Sequence, residues 1–121
     1  MITHPLILHV AIATPLRRLF DYLPDEVSNL KLLQPGLRVS VPFGRRKDVP
    51  GVVMSISNKS DFSYSKLKKI NYVIDQQPVF SIKHLNLLKW ASDYYHYSIG
   101  EVIFSALPSS LRKNICISKY I

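Results

Sequence analysis

Four histidines, at positions 4, 9, 84 and 96, are the first candidates for acid–base or metal chemistry. None stands in an HExxH-type frame, so the spacing offers no metal pair on one helix face, and each of His4, His9, His84 and His96 reads as a satisfied or exposed side chain. The single cysteine, Cys116, permits neither an intramolecular disulfide nor a cysteine-based zinc centre. Serine, histidine and aspartate all occur, but no spacing brings three of them together for nucleophilic catalysis. Glycines at 36, 44, 51 and 100 fit neither GxxxxGK[ST] nor GxGxxG, which removes the two common nucleotide-binding signatures. What remains is ionic chemistry.

Sixteen Lys and Arg face eight Asp and Glu, a net charge of +8. That surplus favours a polyanion, nucleic acid or an anionic membrane surface. Within 38–69 stand Arg38, Arg45, Arg46, Lys47, Lys59, Lys66, Lys68 and Lys69, against only Asp48 and Asp61, so this segment alone carries +6. Singly these are solvated loop tips; together, unrelieved like charge calls for a neutralising partner. Asp21 is the odd acid, set in the aromatic stretch Leu19-Phe20-Asp21-Tyr22-Leu23. Strand alternation puts it opposite Phe20 and Tyr22, as a solvent-facing residue or as a carboxylate with a task. The twelve Phe and Tyr, with Trp90, serve a core or stack on unpaired bases.

The elements that must position these groups follow from pattern. Leu6–Ala13 is a near-continuous apolar run, a buried strand; Leu19–Leu23 is a second extended segment, closed by Pro24. Pro35-Gly36 suits a type II turn. Leu37, Val39, Val41 and Phe43 then alternate with Arg38 and Ser40, as a half-buried strand requires. Gly44–Gly51 reads as a basic connection, stiffened by Val49-Pro50, before a strand over Val52–Ser57. Ser57–Lys66 is polar and loop-like, and Ile70, Tyr72 and Ile74 mark one further strand. Ser81 caps a helix from Ile82 to about Tyr95, with Ile82, Leu85, Leu88 and Tyr95 on its apolar side, widened by Leu87, Ala91 and Tyr94. Ser98 and Glu101 form a capping box for a second, short helix that Pro108 stops. Strands first and helices last imply an α+β domain, a small antiparallel, partly barrel-like sheet followed by helices. Residues 1–108 form that domain; 109–121 read as a tail or the start of a following one.

Pro5–Ala13 lacks the charge order of a secretory signal, and no stretch approaches the ~20 apolar residues that cross a bilayer. The expected compartment is cytoplasmic, with no membrane partner and no cofactor. Three readings stay open on residues alone: a DNA-binding module, a generic basic RNA- or single-strand-binding β domain, and a protein-interaction module docking through its helices.

The segments HVAIATPLRRLFDYLPDE, PGLRVSVPFGRR and GVVMSIS, and later DQQPVF and WASDYYHYSIGEVIFSALP, occur in that order between Leu8 and Pro108. Together they resemble the opening of the PriA family, bacterial replication-restart helicases (primosomal protein N′). The resemblance implies an amino-terminal DNA-binding domain that captures the 3′ end of the nascent leading strand at a stalled fork, whatever its base. It implies a pocket of Phe20, Asp21, Gly44 and Lys68. In such a pocket Phe20 offers a ring, Asp21 accepts hydrogen bonds, Gly44 lets the backbone approach and Lys68 meets the adjacent phosphate. Arg45, Arg46 and Lys47, beside Gly44, are expected backbone-phosphate contacts. Other primosome proteins are implied as further partners. Family members continue through a winged helix, two helicase lobes with an ATP site and a cysteine-rich zinc region. None of these motifs stands in this sequence, so this polypeptide is not expected to act as an enzyme.

Overall fold

The apolar run after Leu6 forms β1(Ile7–Ile12), whose residues are nearly all buried because both faces of the strand are covered. In the computed structural model, residues 6–16, 18–25, 33–58 and 66–107 are described. Leu8, Val10 and Ile12 point into the concave side of a curled sheet with Tyr22, Val39, Val41, Val53 and Ile70. Ala11 and Val52 point outward and are covered by the helices. The sheet is completed by β2(Phe20–Leu23), β3(Arg38–Phe43), β4(Arg46–Ser57), β5(Lys68–Lys69) and β6(Tyr72–Val73), in the order β5-β2-β1-β4-β3-β6. The pairings are antiparallel except that of β2 with β5, which is parallel. The α+β expectation holds, with the sheet a mixed half-barrel.

Three local expectations need correction. First, β3 is not half-buried: Arg38 and Ser40 are as inaccessible as Val39 and Val41. The supposed solvent face of Arg38 is covered by the segment after β6, where Asp75 takes hydrogen bonds from its Nε (2.8 Å), Nη2 (2.6 Å) and backbone N–H (3.2 Å). Second, no long basic loop joins β3 to β4. A two-residue turn, Gly44-Arg45, leads straight into a twelve-residue β4. Gly44 has φ +59°, the glycine-first pattern of a tight hairpin turn. Pro50 is tolerated because it lies beyond the end of β1, where β4 has only β3 beside it.

Third, the strand expected at Ile70–Ile74 is two short strands on opposite edges of the sheet. The chain pairs with β2 at Lys68–Lys69, then with β3 at Tyr72–Val73. Between them Ile70 N–H donates to the Leu23 carbonyl (2.9 Å) and Asn71 N–H to the Ser40 carbonyl (2.7 Å). One short segment thus ties both edges of the half-barrel together, and its Ile70 plugs the concave core.

Both helices start where their caps predict. Ser81 Oγ accepts from the His84 N–H (3.1 Å) at the head of α1(Ile82–Tyr95). Ser98 Oγ accepts from the Glu101 N–H (3.3 Å) and donates to Glu101 Oε1 (2.6 Å) at the head of α2(Ile99–Ala106). Their packing differs from the periodicity. Ile82, Leu87, Tyr94 and Tyr95 are exposed, and α1 buries only Leu85 and Ser92, because α2 occupies the sheet's outer face. A side chain at Gly100 would collide with the Ile12 backbone, so α2 lies directly on β1. His4, Lys59, Asp61, Pro108, Cys116 and the segments 59–65 and 109–121 lie outside the described residues. No helix among the described residues is long and apolar enough to cross a membrane.

Candidate nucleic-acid interface

At one mouth of the half-barrel, the start of β2, the β3–β4 turn and the approach to β5 surround a recess of about 230 Å³. Phe20, Asp21, Gly44 and Lys68 all line it, although they come from three separate stretches of chain. Pairing explains the meeting. Parallel β5 sets Lys68 beside Tyr22, one residue from Asp21, and β3 ends at Phe43, just before Gly44. The Tyr22 hydroxyl donates to the Pro42 carbonyl (2.6 Å), which ties β2 to the end of β3 across the recess. Burial pushes that phenol's pKa up to about 12, because the phenolate would have to form away from water.

The ring wall has more members than the sequence indicates. Phe20 and Phe43 meet edge to face, centroids 4.9 Å apart, and the Arg18 guanidinium lies 4.7 Å from the Phe20 centroid. Lys66 lines the recess as well as Lys68, so two ammonium groups border it. Phe43 is legible in the sequence as a strand residue only; its place opposite Phe20 depends on sheet curl, which no local pattern carries. Gly44 has open space around its Cβ position and a left-handed backbone, so the turn itself calls for glycine there. Arg45, Arg46 and Lys47 are exposed next to it, at the start of β4. Arg38, which falls in this basic group by sequence, does not belong to it in space: its charge is spent on Asp75 inside the fold.

Asp21 does not stand in solvent as simple alternation suggests. Its side chain is 12% exposed and its Oδ1 is 2.6 Å from His9 Nδ1. The other ring nitrogen, Nε2, is 2.6 Å from Ser57 Oγ. A serine, a histidine and an aspartate are therefore linked in a row across β4, β1 and β2, a grouping that no spacing reveals. The available hint is a polar residue set in each of two apolar runs, His9 and Asp21, which antiparallel β1 and β2 place opposite one another. Among the described residues no group of three or more His, Cys, Asp or Glu is arranged to hold a metal ion.

Residues 9–108 match the family described as the 3'DNA-binding domain (3'BD) of PriA. The chain belongs to the PriA 3′ DNA-binding domain family. It is 47% identical over 107 residues to the replication restart protein PriA of Haemophilus influenzae, covering 88% of this chain and 14% of that protein. The PriA proteins of Buchnera aphidicola (subspecies Schizaphis graminum) and Bacillus subtilis are each 36% identical, over 113 and 96 residues. These matches cover 93% and 78% of this chain, and 15% and 12% of the relatives. The chain thus spans about one seventh of the length of the PriA proteins it matches.

Proposed function

We propose that the recess at the mouth of the half-barrel holds the 3′-terminal nucleotide of a DNA strand, whatever its base. The observation that carries this reading is the convergence of Phe20, Asp21, Gly44 and Lys68 on one cavity. Phe20, backed by Phe43 and Arg18, supplies a ring face that any base or sugar can pack against. The Asp21 carboxylate accepts from a sugar hydroxyl or a base amine and repels a terminal phosphate. Gly44 presents backbone without a side chain in the way, and Lys68, with Lys66, meets the phosphate one step from the end. Arg45, Arg46 and Lys47 hold the strand further along through its backbone. The domain then serves, as the amino-terminal part of a replication-restart helicase in the cytoplasm, to find the nascent leading-strand 3′ end at a stalled fork, alongside other primosome proteins.

Fluorescence anisotropy with a short labelled single strand tests this, comparing a 3′ hydroxyl with a 3′ phosphate at fixed salt. A severalfold preference for the hydroxyl is expected, and Asp21→Ala should bring the two ends close to parity while the protein stays folded. Equal binding of both ends by the unmodified chain would reduce the domain to a generic basic single-strand binder. Loss of all binding in Asp21→Ala, with both ends affected alike, would likewise remove Asp21 from end recognition.

A further inference from the structure

Behind Asp21, the row Ser57–His9–Asp21 places two side chains, His9 and Ser57, that the pocket reading above leaves without a role. We infer that His9, held by Ser57, is a positioning residue that sets the Asp21 carboxylate for discrimination of the 3′ end; this rests on the pocket reading above.

The chemistry assigns the protons. An ionised carboxylate only accepts, so the hydrogen in the 2.6 Å contact with Asp21 Oδ1 sits on His9 Nδ1. Nε2 meets Ser57 Oγ at 2.6 Å, a contact that a hydroxyl makes in either ring state, since its hydrogen can go to a bare ring nitrogen and its lone pair can accept from an N–H. Both ring nitrogens are thereby committed, which fixes the ring plane and its orientation, as a histidine fixed by a second partner does beside a metal or in a hydrolase. The strands supply rigidity: His9 lies opposite Asp21 in the β1–β2 register, and β4 carries Ser57 on the other side of β1. His9 and Asp21 are 19% and 12% exposed, so water competes little for the contact. His9 holds Oδ1 of the carboxylate, which sets the direction the group presents toward the recess. An aspartate on an unsupported edge strand would sample several rotamers and lose entropy on meeting a strand end; one held in advance has lost it on folding.

The test uses the two amides that imitate histidine's nitrogens separately. In the 121-residue chain, His9→Ala should lower the 3′-hydroxyl over 3′-phosphate preference about fivefold, the weight of one charged hydrogen bond at partial exposure. His9→Asn sets an amide N–H near the Nδ1 position and should keep the preference within about twofold. His9→Gln sets it near Nε2 and should resemble alanine. Binding of the 3′-phosphorylated strand, which reads the backbone contacts, should change little in all three. If Asp21→Ala abolishes end preference while His9→Ala leaves it intact, the positioning role is overturned and the pocket stands. If Asp21→Ala changes nothing, both fall together. Should His9→Ala unfold, the asparagine and glutamine variants decide alone: equal preference in the two overturns the inference.

Discussion

The two ends of β3 carry arginines in opposite circumstances. Arg38, at its beginning, is fully buried and held by Asp75 through two side-chain bonds. Arg45 and Arg46, just past its end, stand exposed where the turn after Gly44, which lines the recess, enters β4. One guanidinium is neutralised inside the protein and contributes to folding. The others leave their charge to the surroundings and are suited to a polyanion. Net charge adds such residues together, but the fold sorts them: Arg38 should govern stability, and the arginines of the turn should govern affinity and its salt dependence.

Asp75→Ala breaks the comparison at its buried end and should have the largest effect. Removing the carboxylate leaves the Arg38 charge in the core without its counter-ion, a loss of about 3–5 kcal/mol in denaturant-induced unfolding. Replacing both partners with apolar residues, Arg38→Met with Asp75→Leu, should recover much of that loss, because most of it comes from the uncompensated charge. A double variant as unstable as Asp75→Ala would show that the hydrogen bonds, the one to the Arg38 backbone N–H included, matter more than the charge.

At the exposed end, Arg45→Glu with Arg46→Glu should leave unfolding within about 0.5 kcal/mol of the parent, as surface changes do. The same variant should weaken hydroxyl- and phosphate-ended strands alike, by about tenfold at low salt. The slope of log affinity against log salt should become shallower by about one for each phosphate that is no longer neutralised. An unchanged slope would take the turn off the DNA path. Altered end preference would mean that the turn reads the terminus rather than the backbone.

The same contrast explains how much of the molecule is legible in its sequence. Features fixed by near neighbours are readable: the Ser81 and Ser98 caps, the Pro35-Gly36 turn, and the strand character of β1 and β2. Features fixed by register are not. Arg38 and Asp75 are 37 residues apart, and Ser57 lies 48 from His9. The alternation around Arg38 is what a half-exposed strand shows, and only the returning segment after β6 reverses that meaning. Residues 68–73 hide the same way, because two strands on opposite edges read locally as one. The four pocket positions come from family resemblance, since no local pattern separates Lys68 from its neighbours Lys66 and Lys69. The exposed face of α1, with Trp90 and Tyr94 stacked at 5.0 Å, reads as core because periodicity reports an apolar face but not what covers it.

Tyr22 lies between the two regimes, its ring in the concave core and its hydroxyl on the Pro42 carbonyl beside the recess. Near neutral pH, Tyr22→Phe should cost about 1 kcal/mol, the value of one hydrogen bond with a carbonyl left unpaired. At high pH the order changes. The folded protein holds this phenolic proton up to about pH 12, whereas the unfolded chain releases it near 10. Tyr22 therefore favours the folded state fully below pH 10, and that contribution falls as the pH rises from 10 to 12, by an order of about 2–3 kcal/mol in all. The phenylalanine variant has no such proton to lose. Chemical denaturation of both proteins from about pH 8 to about 11.5 isolates the difference, since every other tyrosine and lysine titrates in each. The stability gap should close above about pH 10 and then change sign; a gap constant through that range would mean that Tyr22 ionises as readily in the folded protein as in the unfolded chain.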